Sequence, residues 1–280
     1  MNLFLKGPKR VVVDGVTTRY FEAGEGLPVV LFHGGGVTSS SEDWDECFDY
    51  FAKNFHVYVF DQLGFGYTDK RMTGLGLLDR VNHAASIMKS FGISRAHLVG
   101  YSQGGYVAAR VALDFPELAR TLVVGDSGTL APMGNFASNG KITHAISLSH
   151  NPKLTKVYVR ELYANLAYTK DEITDTFIED RLAVASLPGN IEAAKIRANS
   201  SENLDERRRL DLSSRLSNFR LPTLIIWGKQ DAAAPLSRGL KLLDLIPDAD
   251  FHVFDKCGHN AMIDRRDEYV SLVQDFCKCH

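Results

Sequence analysis

The chain has 280 residues, 45% of them hydrophobic, so it is long enough for one large α/β domain with an insertion or for two small domains. Its 32 basic and 34 acidic side chains leave a formal net charge of -2, which gives no reason to expect nucleic acid as a partner. The first residues lack the features of a signal peptide, and no apolar stretch approaches the ~20 residues that span a bilayer. We therefore expect a cytoplasmic protein that acts on a small molecule and not at a membrane.

The first predicted elements are two β-rich runs within residues 11–20, separated by Asp14-Gly15. This dipeptide is a strong signal for a hairpin turn, so the two runs should form an antiparallel edge of a sheet. Apolar runs bounded by turn residues then recur and predict strands that are buried on both faces. These runs lie at residues 28–32, 57–60, 96–99, 122–124, 223–227 and 251–254.

Helical patterns separate several of these strands, at residues 77–91, 103–115, 235–245 and 265–277. The alternation predicts a parallel sheet with crossover helices. It stops after residue 128 and resumes near residue 221, and the intervening stretch is far longer than an ordinary connection. Because that stretch contains candidate helices, we expect a core domain in residues 1–128 and 218–280 with a helical cap in residues 129–217.

The sequence Gly100-Tyr101-Ser102-Gln103-Gly104 follows one predicted strand and opens a predicted helix. This is the setting that a nucleophile elbow requires, and its glycines allow neighbouring backbones to approach closely. The helix N-terminus behind the serine also favours developing negative charge. Ser102 is therefore the predicted nucleophile. The alternative is a bystander serine in a surface turn.

A serine hydroxyl is a weak nucleophile at neutral pH, so a histidine must take its proton and an acid must orient that histidine. His259 fits best, because it lies in the loop after the last predicted strand. Asp231 follows the preceding strand, and the chain order Ser, Asp, His favours it as the acid. Asp126 follows the strand at 122–124 and stays a competitor.

The sequence His33-Gly34-Gly35-Gly36 follows the strand at 28–32. Such a loop can offer a backbone N–H to an oxyanion, with a second N–H from the residue after the nucleophile, Gln103. Three consecutive glycines are costly to order, which a close approach of ligand to backbone would justify. A flexible loop is the alternative. His33 itself is interpreted as a hydrogen-bonding support of the loop rather than a second base.

Together with residues 60–66, Phe-Asp-Gln-Leu-Gly-Phe-Gly, these motifs resemble the α/β-hydrolase superfamily across nearly the whole chain. The resemblance implies an α/β fold with a mostly parallel eight-stranded sheet, helices on both faces, an inserted helical cap and no cofactor. It carries over three residues as a catalytic triad and two as oxyanion donors. The triad is Ser102, Asp231 and His259, and the donors are Gly35 and Gln103.

Within the superfamily the chain looks most like the meta-cleavage product hydrolases, which split a carbon–carbon bond in vinylogous diketo acids from aromatic ring fission. The triglycine loop leading to Trp44 and the cap segment 179–190 carry this likeness. It implies that Arg181 clamps the dienoate carboxylate, for which a planar guanidinium fork is suited. A solvated helix arginine is the alternative.

The chain also departs from that subfamily. Tyr101 precedes the nucleophile where asparagine is usual, Asn260 follows the histidine where tryptophan is usual, and Glu46 stands where a polar amide is expected. These positions, with Gly34 and Gly36, are expected to line the substrate pocket. The first hypothesis is therefore hydrolysis of a carbon–carbon bond in a 2-hydroxy-6-oxo-dienoate. The alternatives are a carboxylesterase or lactonase with the same triad and, from another class, a ligand receptor that barely turns over.

The four cysteines are few and scattered, which is typical of reduced thiols. Cys277, Cys279 and His280 are candidate metal ligands, but no partner pair is evident, so we expect no metal. The edge hairpin could take part in a homodimer, and the sequence leaves the oligomeric state open. It also leaves open whether certain cap side chains line the pocket or pack the cap. These are Phe136, Ile142, Ile146, Leu162 and Leu166.

Overall fold

The computed structural model describes residues 7–71, 73–131, 154–202 and 209–280. Within them, eight strands form a single sheet in the order β1-β2-β4-β3-β5-β6-β7-β8. The β1–β2 and β2–β4 pairs are antiparallel, and the other five pairs are parallel. The strands are β1 (Lys9–Val13), β2 (Val16–Ala23), β3 (Pro28–Phe32), β4 (His56–Phe60), β5 (Ala96–Tyr101), β6 (Ala119–Gly125), β7 (Thr223–Gly228) and β8 (Asp250–Phe254).

The helices of the described residues connect or follow these strands. Short 3-10 segments, Ser41–Trp44 and Pro116–Leu118, accompany them. The α-helices are α1 (Asp45–Phe51), α2 (Leu77–Ser90), α3 (Gln103–Asp114), α4 (Lys156–Leu166), α5 (Asp175–Ala185), α6 (Asn190–Glu202), α7 (Ser213–Leu216), α8 (Leu236–Leu245), α9 (Ala261–Asp264) and α10 (Arg266–Cys279). None of the helices described is both long and apolar enough to cross a membrane.

The edge hairpin forms as predicted. Asp14 and Gly15 both have positive φ, at 52° and 70°, which matches the right-handed twist of the flanking strands β1 and β2. The remaining predicted strands also appear at their expected places, and the α/β-hydrolase fold predicted from the sequence is confirmed.

The sheet is buried on both faces because successive side chains of each strand point to opposite sides. On β5, Leu98 joins the apolar cluster under α2, α3 and α8, whereas Val99 joins the cluster under α1 and α10. Strands such as β5 and β7 are buried at every position. This explains why the sequence shows continuous apolar runs there rather than alternation.

The parallel strands place their carboxyl ends at one edge of the sheet, where ligands of open α/β sheets bind. The loops after β3, β5, β6, β7 and β8 therefore converge. They carry His33 to Gly36, Ser102, Asp126, Asp231 and His259 respectively.

Helices α4, α5 and α6 lie between β6 and β7 in the chain, within the stretch predicted to form the cap. Their apolar side chains, with Val37 of the loop after β3, make a separate buried cluster. The predicted domain boundaries stay a prediction. Residues 132–153 and 203–208, and with them Phe136, Ile142 and Ile146, lie outside the described residues.

Glycine is required where α3 packs against β3. A β-carbon at Gly104 would lie 2.2 Å from the carbonyl oxygen of Phe32 and 2.4 Å from that of His33. A β-carbon at Gly100 would likewise lie 2.4 Å from the carbonyl oxygen of Gly104. These neighbours are backbone atoms of the sheet and of the turn after it, so they cannot move aside alone.

We expect Gly104→Ala to lower the free energy of unfolding by at least about 3 kcal/mol, because an added methyl group must push β3 and α3 apart. Gly92→Ala is the matched control. Gly92 has positive φ, +70°, but open space around it, so only the local backbone cost of about 1–2 kcal/mol applies. Chemical denaturation of both variants measures the two costs, and equal losses would contradict this packing argument.

Candidate active site

Ser102 occupies the sharp turn between β5 and α3. Its backbone has φ 53° and ψ −128°, a conformation that costs energy for a residue with a side chain. Two hydrogen bonds hold the turn. The Ser102 N–H donates to the Gly125 carbonyl at 2.8 Å, and the Ser127 hydroxyl donates to the Ser102 carbonyl at 2.6 Å. The strained turn presents the Ser102 hydroxyl at the carboxyl edge of the sheet.

The structure brings Ser102, His259 and Asp231 into one chain of hydrogen bonds. His259 Nε2 lies 3.0 Å from Ser102 Oγ, and His259 Nδ1 lies 2.7 Å from Asp231 Oδ2. The other oxygen of Asp231 accepts the N–H groups of Ala233 and Ala234 at 2.7 and 2.8 Å, which fixes the carboxylate. A carboxylate only accepts, so Nδ1 carries the proton and Nε2 is the nitrogen that can accept from the serine.

The competing acid, Asp126, lies beside Asp231 rather than beside the histidine nitrogen. Asp126 Oδ1 accepts the Gly228 N–H at 2.7 Å. Burial and the nearby charge of Asp231 raise the pKa of Asp126 well above its usual value, and a hydrogen bond to the Asp231 carboxylate adds to this shift. We infer that Asp126 stays protonated and supports Asp231.

We expect Asp231→Asn to lower kcat by about 10³- to 10⁴-fold, because an amide cannot hold the histidine in the required tautomer. Asp126→Asn is the matched control and should keep most of the activity, since an amide can still donate to Asp231. Steady-state kinetics of the two variants compare the acids. A larger loss in the Asp126 variant would reverse their assignment.

The raised pKa of Asp126 also predicts how stability depends on pH. The folded protein holds this proton more tightly than the unfolded chain, so the contribution is full below about pH 4 and is lost as pH rises toward the folded-state pKa. Asp126→Asn removes this loss. Relative to the unsubstituted protein, the variant should therefore become more stable as pH rises from about 4 to 7, as measured by urea unfolding at several pH values. If the difference in free energy of unfolding between the two proteins did not change with pH, the raised pKa of Asp126 would be contradicted.

The two residues predicted to donate to an oxyanion, Gly35 and Gln103, lie side by side at the pocket. Gln103 is the first residue of α3, so its N–H has no partner within the helix. Gly35 lies against the Gln103 side chain, where a β-carbon would come within 2.1 Å of Gln103 Cδ. Both residues line the pocket that contains Ser102. A side chain at position 35 would collide with Gln103, so glycine is needed for the loop after β3 to approach the start of α3.

Buried positive charge lies behind this corner. Arg80 donates to the Gln103 side-chain oxygen at 3.0 Å, and burial lowers the pKa of Arg80 to about 10. Arg197 stacks on the Phe65 ring at 3.7 Å, and Arg80 lies 5.2 Å from the centroid of the same ring. Arg80 therefore places a positive charge beside the Gln103 side chain, and sequence reasoning did not identify either arginine.

His33 supports the glycine loop as interpreted from the sequence. Its Nε2 accepts the Gln62 N–H at 2.9 Å, so its Nδ1 carries the proton that is donated to the Gly34 carbonyl at 2.8 Å. Burial lowers the pKa of His33, which keeps the ring neutral. Both ring nitrogens are therefore occupied and unavailable as a second base.

The rest of the loop is anchored by a buried ionic network. Arg19 donates to Asp61 Oδ2 at 2.7 Å and to Glu42 Oε2 at 2.6 Å. Asp61 also accepts the N–H and the hydroxyl of Ser41 at 2.8 and 2.7 Å. Burial alone would raise the pKa of Asp61, but Arg19 and Ser41 hold it below its usual value. The network fixes the position of the segment that follows the glycines.

A pocket of about 450 Å³ contains the Ser102 hydroxyl. Its wall combines the glycine loop, the turn after β6, the cap helix α4 and the start of α8. Among the described residues, Arg238 is the one lysine or arginine in this wall. The lining residues are Gly34, Gly35, Gly36, Thr38, Ser39, Leu77, Tyr101, Ser102, Gln103, Gly128, Thr129, Leu130, Ala131, Leu162, Tyr163, Leu166, Leu210, Asp211, Leu212, Ala233, Ala234, Arg238, His259 and Asn260.

Most of the residues predicted to bind substrate lie in this wall. The exceptions are Arg181 and Glu46, neither of which belongs to the described lining. Asn260 is buried, and its Oδ1 has no hydrogen-bond partner among the described residues, so it can accept from a ligand. Those in the wall are Gly34, Gly36, Tyr101 and Asn260, together with the cap residues Leu162 and Leu166.

Arg181 is buried against the loop after β3. Its Nη2 donates to the Glu42 carbonyl at 2.7 Å, and its Nη1 lies 3.8 Å from Asp43 Oδ1. The hydroxyl of Tyr101 donates to Asp43 Oδ2 at 2.6 Å. Glu46, which was expected at the pocket, instead lies on the surface and pairs with Arg266 at 3.0 Å. No sequence pattern pointed to Asp43, because its contacts come from residues far away in the chain.

The described residues contain no group of three or more His, Cys, Asp or Glu side chains that could hold a metal ion. The four cysteines are unpaired thiols, as the sequence suggested. Cys279 is exposed, and the other three are buried.

The family model for the alpha/beta hydrolase fold matches residues 28–266 of this chain. That match covers the glycine loop, the elbow at Ser102 and the loops of Asp231 and His259. The chain therefore belongs to the α/β-hydrolase family, as the motifs indicated.

Within this family the chain is similar to meta-cleavage product hydrolases. The 2-hydroxymuconate semialdehyde hydrolase of Pseudomonas putida is 30% identical over 274 residues, which cover 96% of this chain and 93% of the relative. The 2-hydroxy-6-oxo-6-phenylhexa-2,4-dienoate hydrolase of Burkholderia cepacia is 30% identical over 262 residues, or 91% of this chain and 89% of the relative. The solved meta-cleavage product hydrolase CumD of Pseudomonas fluorescens, a mutant complexed with acetates, has a TM-score of 0.84 at 29% identity, covering 96% of this chain and 97% of that one.

Proposed function

We propose that the protein is a serine hydrolase that cleaves a carbon–carbon bond next to a ketone, with Ser102 as nucleophile, His259 as base and Asp231 as the orienting acid. The observation that carries the proposal is the hydrogen-bonded chain from Ser102 Oγ through His259 to Asp231, with separations of 3.0 and 2.7 Å. Ser102 and His259 line a pocket that is large enough for a small organic substrate.

In the first half of the reaction, Ser102 Oγ attacks the carbonyl carbon and passes its proton to His259 Nε2. Negative charge develops on the carbonyl oxygen, which the N–H groups of Gly35 and Gln103 stabilise. The bond to the leaving carbon then breaks, and the leaving group takes the proton from His259. A dienol substrate must first be converted to its keto form, so that the leaving carbon can depart as an enolate.

In the second half, water attacks the acyl group on Ser102 while His259 takes the water proton. The ester bond to Ser102 breaks, the serine oxygen regains a proton, and the second product leaves as an acid. Asp231 stabilises the imidazolium that forms in each half. The same steps would hydrolyse an ester, with an alcohol as the leaving group.

The similarity to relatives named as 2-hydroxy-6-oxo-dienoate hydrolases supports a ring-fission product as the substrate. The apolar part of the pocket wall, which includes Leu130, Leu210 and Leu212, suits the hydrocarbon part of such a molecule. The partner of this protein is therefore a small molecule.

A specific contact favours ester or lactone hydrolysis as a second candidate. The guanidinium of Arg181, which was expected to clamp a dienoate carboxylate, already faces the Asp43 carboxylate at 3.8 Å. A substrate without a carboxylate at that end requires no such clamp, and esters meet this condition.

Ser102→Ala should lower kcat by about 10³-fold or more on any substrate, because no other group can form the acyl intermediate. The unsubstituted protein should react with a fluorophosphonate probe, and the Ser102 variant should not. Ser271→Ala is the control, since this serine is exposed on α10 and does not line the pocket, and the variant should be labelled as strongly as the unsubstituted protein. An unlabelled Ser102 in folded protein would overturn the proposal and favour a ligand receptor.

A turnover assay separates the two candidates. The 2-hydroxy-6-oxo-6-phenylhexa-2,4-dienoate that gives one relative its name should be consumed with loss of its dienol absorbance if the protein is a carbon–carbon hydrolase. We expect kcat/KM for this compound to exceed that for p-nitrophenyl butyrate. The reverse order would favour the esterase.

A further inference from the structure

We propose that Arg80 of α2 is a positioning residue for the oxyanion site, and that it acts by holding the Gln103 side chain against Gly35. The inference rests on the proposed function, in which Gly35 and Gln103 supply the two oxyanion donors. It adds to that site a residue from an element that carries none of the sequence motifs.

The first observation is that one atom connects the three residues. Arg80 Nη2 donates to Gln103 Oε1 at 3.0 Å. A β-carbon on Gly35 would lie 2.1 Å from that same oxygen and 2.1 Å from Gln103 Cδ. The Gln103 carboxamide therefore lies against the glycine loop, and its position limits how closely Gly35 approaches the start of α3.

The second observation is that the residues on both sides of the nucleophile support the glycine loop. A β-carbon on Gly34 would lie 2.9 Å from the Tyr101 hydroxyl, just as one on Gly35 would collide with Gln103. The Tyr101 hydroxyl is held by Asp43 at 2.6 Å, and the Gln103 side chain is held by the guanidinium of α2. Hydrogen bonds to charged groups are stronger than neutral ones, so both supports are fixed in place.

The third observation is that the charge of Arg80 has no acidic partner. Arg80 is 3% exposed, and among the described residues the bond to Gln103 is the one hydrogen bond of its guanidinium, since Nε and Nη1 have none. Asp79 raises the pKa of Arg80, but burial outweighs it and lowers this pKa to about 10, which leaves the group charged at neutral pH. Arg197, which lies on the same aromatic ring, is a second cation.

The buried charge of Arg80 costs free energy in the folded state, because no carboxylate compensates it. Stability therefore gives no reason for an arginine at this place, whereas the contact with Gln103 does. Without Arg80, the Gln103 side chain can turn into the pocket that it lines, and Gly35 loses the surface on which it rests. Stabilisation of a transition state depends on such placement of the donors.

The experiment compares the rate at which a fluorophosphonate probe labels the unsubstituted protein and Arg80→Met. In labelling, Ser102 Oγ bonds to phosphorus, fluoride leaves, the serine proton passes to His259, and the phosphonyl oxygen occupies the oxyanion site. We expect the second-order rate constant of Arg80→Met to be at least about tenfold lower, because the oxyanion donors lose their spacing. Its Tm should be unchanged or higher, because an uncompensated buried charge has been removed.

Three further variants make the result specific. Arg80→Lys should keep at least about a third of the unsubstituted rate constant, because an ammonium can also donate one charged hydrogen bond. Gln103→Ala keeps the backbone N–H and should lower the rate constant at least about tenfold, since Gly35 loses its support. Adding Arg80→Met to Gln103→Ala should change that constant less than about twofold, because effects through one shared contact do not add.

Arg110→Met is the matched control. Arg110 pairs with Asp114 at the far end of α3 at 2.7 Å and does not line the pocket. Its removal should change the labelling rate constant less than about twofold, because surface arginines away from the site do not affect the donors.

The inference is overturned if Arg80→Met is labelled as fast as the unsubstituted protein, if its slower labelling accompanies a lower Tm, or if the two substitutions at Arg80 and Gln103 have additive effects. Failure of the proposed function has a different signature. An unsubstituted protein that is not labelled overturns both, whereas a labelled protein with an equally reactive Arg80→Met variant overturns the inference alone.

Discussion

The positive φ of Ser102 is the backbone constraint on which the site depends. A residue with a side chain occupies this conformation only when its surroundings hold it there, and here the sheet does so through Gly125 and Ser127. The turn can form because Gly104 lets α3 lie directly against β3. One tight turn thereby places the Ser102 hydroxyl next to His259 and brings Gln103, the first residue of α3, to the pocket wall.

The parts that follow from local pattern were predictable from the sequence. Continuous apolar runs identified the buried strands, because a strand covered on both faces has no polar side to alternate with. Ser102, Asp231 and His259 follow the strands β5, β7 and β8, and the carboxyl ends of these strands meet at one edge of the sheet. The hairpin at Asp14-Gly15 needed only two residues to be recognised.

The parts that depend on distant contacts were not predictable. The position of Asp43 follows from the network of Arg19, Glu42 and Asp61, whose members come from three separate elements. Nothing in the local sequence tells which acid of residues 42–46 turns toward Tyr101. Likewise, Arg181 fits the spacing of a substrate-binding arginine, but its partner was set by a loop more than a hundred residues earlier.

Backbone hydrogen bonds connect the loop of His259 to the end of α4. The His259 N–H donates to the Leu166 carbonyl at the end of α4 at 2.7 Å, and Asp264 accepts the N–H groups of both Gly258 and Tyr168. A β-carbon at Gly258 would lie 2.2 Å from that same Leu166 carbonyl. The end of α4 therefore helps to fix the backbone position of His259. A cap of different length would have to keep these hydrogen bonds at the end of α4. Changes of substrate specificity are therefore best made in cap residues away from this contact.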